Sequence, residues 1–290
     1  HTISLNGTWK ALHRDMASTG EAGLGAIVNV TEGWIDAAVP GEIRLDLVRA
    51  GLMPEPTVGD NAPRCRWPET KSWWYRTSFD LDADFPTLER QQLVFDGLDL
   101  YAQVFVNGTK AGESANAFVP ATFSVLGLLR EGRNELIVRL TAGSELAADA
   151  TPSGQNQTPK PNTAEKGAIP NPLSGTDPYG HRSWPGRKWL RKAQFSYGWD
   201  WVDALPNIGI WRGVRLEGWS HACLHSLRLD TVLHHDRVFL EMEAVVENLH
   251  PWSERACVMD LEIQPPSGGA VVAHRYPVDT PPGRTVLRDT

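Results

Sequence analysis

The chain has 290 residues, a formal net charge of -7, 41% hydrophobic and 22% charged residues, an ordinary globular composition too long for one small core and suited to a large domain plus a smaller one. The acidic balance argues against nucleic acid as the main partner, because phosphate binding needs a basic surface. No apolar run approaches the ~18 residues of a membrane helix, so no membrane partner is expected.

Ile3 to Lys10 reads as a strand interrupted by a turn at Asn6-Gly7. Gly33 to Ala37 shows no clean alternation, and Pro40-Gly41 is a strong turn signal. Ile43 and Leu47 lie one helical turn apart with Gly51 behind them, which predicts a short helix over Glu42–Ala50. Ser72–Phe79 is rich in aromatic and β-branched residues and reads as a strand, as do Gln92–Gly97 and Ala102–Val106. Asn107-Gly108 then predicts a two-residue hairpin turn. Asn134–Thr141 alternates, with Leu136, Val138 and Leu140 on one face and Glu135, Ile137 and Arg139 on the other, the pattern of a half-buried antiparallel strand. The sequons at Asn6, Asn29, Asn107 and Asn156 are read as turns.

From Ala147 to about Arg187 the strand pattern gives way to Pro, Gly, Ser, Thr and Asn. A loop of this length is usually functional or disordered. It runs into Gly198-Trp199-Asp200-Trp201, where two indoles flank one carboxylate. In an extended chain Trp199 and Trp201 share a side and Asp200 faces the other. An aromatic face can carry the C–H surface of a pyranose while a carboxylate accepts from its hydroxyls. Core packing is the competing reading and, on these residues alone, the stronger one. The basic cluster Lys188, Arg191 and Lys192 is expected to be solvated or paired with local carboxylates.

Gly213–Trp219 alternates and reads as the last strand of a first domain. Four strands follow, near Leu224–Asp230, Val238–Asn248, Glu254–Gln264 and Val271–Tyr276, separated by turns such as His234-His235-Asp236. This is the rhythm of an immunoglobulin-like sandwich, a few strands short of seven at Thr290, so the protein is expected to continue beyond that residue.

Three widely spaced cysteines (Cys65, Cys223, Cys257) give no metal-ligand spacing; they read as free thiols, with one Cys223–Cys257 bridge left open. The nine histidines show no ligand spacing either. No P-loop, GxSxG elbow, dinucleotide fingerprint or HExxH helix is present. Neither a cofactor nor a metal is expected, and no acidic pair is marked as catalytic.

Several stretches together resemble the N-terminal part of glycoside hydrolase family 2, most closely its β-mannosidase branch. They are Ser4-Leu5-Asn6-Gly7-Thr8-Trp9, Val39-Pro40-Gly41, Leu45-Asp46-Leu47, Ala50–Pro56, Gly59-Asp60-Asn61, Trp73–Arg76, Phe95–Asp99, and Arg191-Lys192 through Gly198–Trp201 to Gly209–Arg212. The resemblance implies an all-β chain: a jelly-roll-like (galactose-binding-domain-like) β-sandwich over 1–219, then an incomplete immunoglobulin-like β-sandwich over 220–290. It also implies a (β/α)8 barrel, not in this chain, that carries both catalytic glutamates of a retaining mechanism. No catalytic residue is therefore expected here. Trp199 and Asp200 are expected to reach that barrel's glycone pocket and bind a β-mannoside, with Trp201 left as core. Val202-Asp203 stands where the family commonly has Gly-Pro, which bears on the aim of Asp200. The alternatives are a free-standing carbohydrate-binding or structural module, and the same region of an exo-β-glucosaminidase-like member.

Overall fold

The computed structural model describes residues 1–16, 20–146, 185–199, 202–250, 252–264, 266, 268, 269 and 271–289. These fall into two compact units. One comprises Thr2–Pro86 and Gln92–Glu217; the other comprises His1, Thr87–Gln91 and Gly218–Thr290.

The larger unit contains strands β1 (Thr2–Ser4), β2 (Gly7–Asp15), β3 (Ile35–Val39), β4 (Lys71–Leu81), β5 (Arg90–Phe95), β6 (Tyr101–Val106), β7 (Thr109–Ser114), β8 (Ala121–Ser124), β9 (Gly132–Thr141) and β10 (Val214–Trp219). The ends of β5 and β10 run into the smaller unit. Two helices, α1 (Gly20–Val28) and α2 (Ile43–Arg49), accompany them. The strands form a six-stranded sheet, β3-β2-β4-β9-β6-β7, and a four-stranded sheet, β1-β10-β5-β8, a jelly-roll-like sandwich. In the larger sheet every neighbouring pair is antiparallel.

β4 and β9 form the middle of this sheet, and Ser72–Tyr75 of β4 and Leu136–Thr141 of β9 are buried on both faces. Trp73 lies across from Leu140 and Tyr75 across from Val138, all four essentially inaccessible. On the other face Trp74, Ile137, Phe105 and Leu12 pack with Leu24 and Ile27 of α1. The expectation of a half-buried β9 is therefore corrected: the two faces were assigned properly, but α1 covers the second one. Its residues include Ile137 at 1% and Arg139 at 0% exposure. Gly33–Ala37, which lacked alternation, leads into edge strand β3, where Ala37 and Val39 are buried and the other residues are not.

The Asn107-Gly108 turn joins β6 to β7 with both residues at positive φ (49° and 83°). Asn107 does more than turn the chain. Its Nδ2 donates to Leu128 O and Asn134 Oδ1, and its Oδ1 accepts from Glu135 N. Asn6 likewise accepts from Val214 N at 2.8 Å. Glu42 caps α2 through Arg44 N, and the buried Asp46 ties the helix to β3 by accepting from Ala38 N at 3.0 Å.

In the smaller unit β11 (Ala222–His234), β12 (Arg237–Asn248), β13 (Arg255–Ile263), β14 (Val272–Thr280) and β15 (Gly283–Asp289) build a β11-β12-β15 sheet and a β13-β14 sheet, an immunoglobulin-like arrangement. β15 was not foreseen; Thr285 and Leu287 are its half-buried positions in a mostly exposed strand, too weak a pattern to read. All three cysteines are free. The bridge left open between Cys223 and Cys257 does not form; their strands, β11 and β13, are not side by side.

Candidate functional site

The segment Leu190–Tyr197 is fixed from below. Leu190 and Tyr197 pack with Leu100 and Ala117, and Ala117 N donates to Arg191 O at 2.9 Å. Of the basic cluster, Lys188 and Arg191 are exposed, and Lys192 is buried and paired with a carboxylate. Its Nζ donates to Asp99 Oδ1 and to Asn207 O, both at 2.5 Å. Burial pushes the Asp99 carboxyl up and the Lys192 ammonium down, and in each case the partner's opposite charge offsets part of that push.

Asp99 also meets the segment that follows the motif. Asp99 N donates to Gly209 O and Gly209 N to Asp99 O. On the other side Gly41 N donates to Ile210 O and Ile43 N to Ile208 O. Residues 208–211 thus run between two backbones, and a Cβ on Gly209 would lie 2.3 Å from Gly41 O. Only glycine fits this approach. Beneath it Arg44 binds Glu69 at 2.7 Å, Glu42 at 2.9 Å, and the carbonyls of Cys65 and Pro206.

Above this anchor, Gly198 takes φ 100° after a short 3-10 turn over Gln194–Tyr197. Trp199 then pairs with Val202: Trp199 N donates to Val202 O at 3.0 Å, and Val202 N to Trp199 O at 3.4 Å. The Trp199 side chain is 52% exposed, and Phe195 and Trp189 nearby in sequence are exposed as well. Asp200 and Trp201 lie outside the described residues, as does the long loop up to residue 184.

A separate cavity of about 250 Å³ is lined by His13, Trp67, Trp73, Ile35, Leu47 and neighbouring apolar residues. Burial and the nearby cations Lys71 and Arg14 hold the His13 imidazole below its ordinary pKa. Its lining contains no carboxylate to complement the rings, so it lacks the aromatic–acid pairing sought for a sugar.

One chemical cluster escaped the sequence. Glu89, His221 and His250 bring one ligand atom each to within 4.8 Å of one another. Glu89 precedes His221 by 132 residues. No local spacing could have signalled that meeting.

A family model described as glycosyl hydrolase 2 galactose-binding domain-like matches residues 15–212. β-Mannosidase B of Neosartorya fischeri is 32% identical over 230 residues, covering 78% of this chain and 25% of that protein. β-Mannosidase of Mus musculus is 26% identical over 229 residues, covering 78% and 22%. The chain thus spans about a quarter of the length of these curated relatives. The crystal structure of β-D-mannosidase from Dictyoglomus thermophilum superposes with a TM-score of 0.73 at 29% identity, covering 99% of this chain and 30% of that one.

Proposed function

Because the chain belongs to glycoside hydrolase family 2, with β-mannosidases among its relatives, we propose that it is the non-catalytic N-terminal region of a β-mannosidase-like retaining exo-glycosidase. In this reading residues 1–219 form the jelly-roll-like domain and 220–290 the immunoglobulin-like one. A (β/α)8 barrel outside this chain supplies the acid/base and nucleophilic carboxylates.

Trp199 and Asp200 then contribute to the glycone pocket of that barrel. The observation that carries this is the exposed Trp199 indole. It stands on a segment otherwise held by buried bonds, with Lys192 on Asp99 and Tyr197 in the core. A half-exposed indole on a segment anchored by Lys192 and Tyr197 suits a stacking platform. Asp200, next to it in sequence, would accept from sugar hydroxyls.

The test uses the full-length protein and p-nitrophenyl β-mannoside, with the β-glucosaminide, β-galactoside and β-glucuronide in parallel. Asp200→Ala should lower kcat/KM on the mannoside by the equivalent of about 1.5–3 kcal/mol, with the melting temperature unchanged. Unfolding at unchanged specific activity would make Asp200 structural and end the pocket assignment. A glucosaminide preference would shift the parent enzyme to the exo-β-glucosaminidase-like alternative. No turnover of any of the four with the barrel glutamates present would point to a different glycone; no turnover with those glutamates missing would leave a free-standing binding or structural module.

A further inference from the structure

We propose that Glu89 Oε1, His221 Nδ1 and His250 Nε2 are the protein ligands of a divalent transition-metal site of zinc type, built into the smaller unit. The three atoms form a compact triangle. His250 Nε2 lies 2.7 Å from Glu89 Oε1 and 2.9 Å from His221 Nδ1, and the third side, His221 Nδ1 to Glu89 Oε1, is 3.6 Å. A triangle of this size fits on a sphere of ~2.0–2.1 Å radius, the length of zinc–nitrogen and zinc–oxygen bonds.

Hydrogen bonding alone serves this arrangement poorly. A ring nitrogen carries either one proton or one lone pair. His250 Nε2 nevertheless has three polar neighbours: the Glu89 carboxylate, the His221 nitrogen, and Arg255 Nη2 at 3.1 Å. A cation at the centre lets both imidazoles and the carboxylate direct lone pairs at one point. Two imidazoles and one carboxylate are the donor set that suits zinc rather than calcium or magnesium, and three protein ligands leave a fourth position for water.

The ligands are held in place by their own backbones. His221 N donates to Glu89 Oε2 at 3.0 Å, which occupies one carboxylate oxygen and turns the other toward the rings. Leu249 N donates to His221 O at 2.7 Å. His250 N donates to Asn248 Oδ1 at 2.9 Å, and the buried Asn248 is itself fixed by donating to Ser253 O and Thr280 O at 2.8 Å. The imidazole centroids lie 5.1 Å apart with the ring planes 21° from parallel, so the two rings meet edge to edge, nitrogen toward nitrogen. The His221 side chain is 59% exposed, so a metal ion reaches the site directly from solvent. Bound there, it ties Thr87–Gln91 to the ends of β11 and β12. The Arg255 guanidinium is the competitor, since it must release His250 Nε2 for the metal to bind.

The experiment is a calorimetric titration of the tag-free, chelator-treated chain with zinc chloride, repeated optically with cobalt(II). The expected result is one zinc per chain and cobalt absorption bands of a four-coordinate site. His221→Ala and His250→Ala should each weaken binding by more than the roughly 10–100-fold that a lost outer-shell partner costs, and Glu89→Gln should weaken it as well. Arg255→Met should tighten binding, a gain that misfolding cannot produce. The double variant His234→Ala/His235→Ala removes the histidine pair of the β11–β12 turn and should change nothing. Absence of zinc binding would overturn the proposal. So would binding that survives both His221→Ala and His250→Ala in folded protein, or binding that disappears with the His234/His235 pair.

Discussion

Lys192 and Asp99 decide how rigidly the Trp199 segment is held. Both are buried, and their contact lies beside the Gly209 crossing. Lys192→Met should cost about 3–5 kcal/mol, because it leaves the Asp99 carboxylate buried without its cation. The double variant Lys192→Met/Asp99→Leu should cost clearly less, since it removes both charges together. Urea unfolding of the two variants checks this; equal losses would mean that the pair is not a coupled unit. Gly209→Ala tests the crossing itself. Its Cβ would sit 2.3 Å from Gly41 O, where neither backbone can move freely, so a loss of about 3 kcal/mol is expected from overpacking. An unchanged melting temperature would show that the crossing opens without strain. At this scale the sequence is legible in part. Gly209, Gly41 and Lys192 all stand in motifs that read as significant, but nothing in their spacing told that Lys192 pairs with a carboxylate 93 residues earlier.

Elements were readable where one face met water and the other the core. The Asn107-Gly108 hairpin and α2 follow directly from turn chemistry and from the Ile43/Leu47 spacing. α1 did not: it is a short glycine-containing helix whose buried residues Leu24 and Ile27 give little periodicity, and its presence is what buries the second face of β9. Ile27→Ala should therefore cost about 2–4 kcal/mol, as in a full core, measured by thermal or urea unfolding. A loss under ~1 kcal/mol would mean that α1 covers the sheet only loosely. In the smaller unit, Arg90 at the start of β5 makes a two-pronged bond to Glu247 on β12, at 2.8 and 3.0 Å. That guanidinium, above all by its hydrogen bonds, holds the Glu247 carboxyl below the usual carboxylate range, and Arg284 and His225 add to the effect. A carboxyl depressed on folding contributes stability that is present above the unfolded value of about 4.3 and is lost as pH falls through the lower folded value. Arg90→Met should cost about 1 kcal/mol at neutral pH. That difference should shrink toward zero on acidification below about pH 4. A difference that is independent of pH would show that Arg90 acts by packing rather than by charge.

At the scale of the whole chain, alternation and turns reveal two β-sandwiches because those signals are local. The acids that matter are set by contacts between segments far apart in sequence, which no local pattern carries. The three buried carboxylates among the described residues are all occupied. Glu69 holds Arg44, Asp46 accepts from Arg49 and Ala38 N, and Asp99 holds Lys192. Glu42 shares Arg44 with Glu69 and caps α2 as well. A retaining glycosidase needs two carboxyls facing each other across a sugar at roughly 5–5.5 Å, one protonated and one free to attack. Asp99 is held by an ammonium, Glu69 by a guanidinium, and Asp46 by a guanidinium and a backbone amide, so these three carboxylates serve the fold. On the proposed reading, in which the catalytic carboxylates lie on a barrel outside this chain, the isolated 290-residue chain should release no p-nitrophenol from the β-mannoside above the uncatalysed rate. Turnover by the isolated chain that disappears when one of its own acidic residues is replaced would place the chemistry here and overturn the assignment of a non-catalytic region.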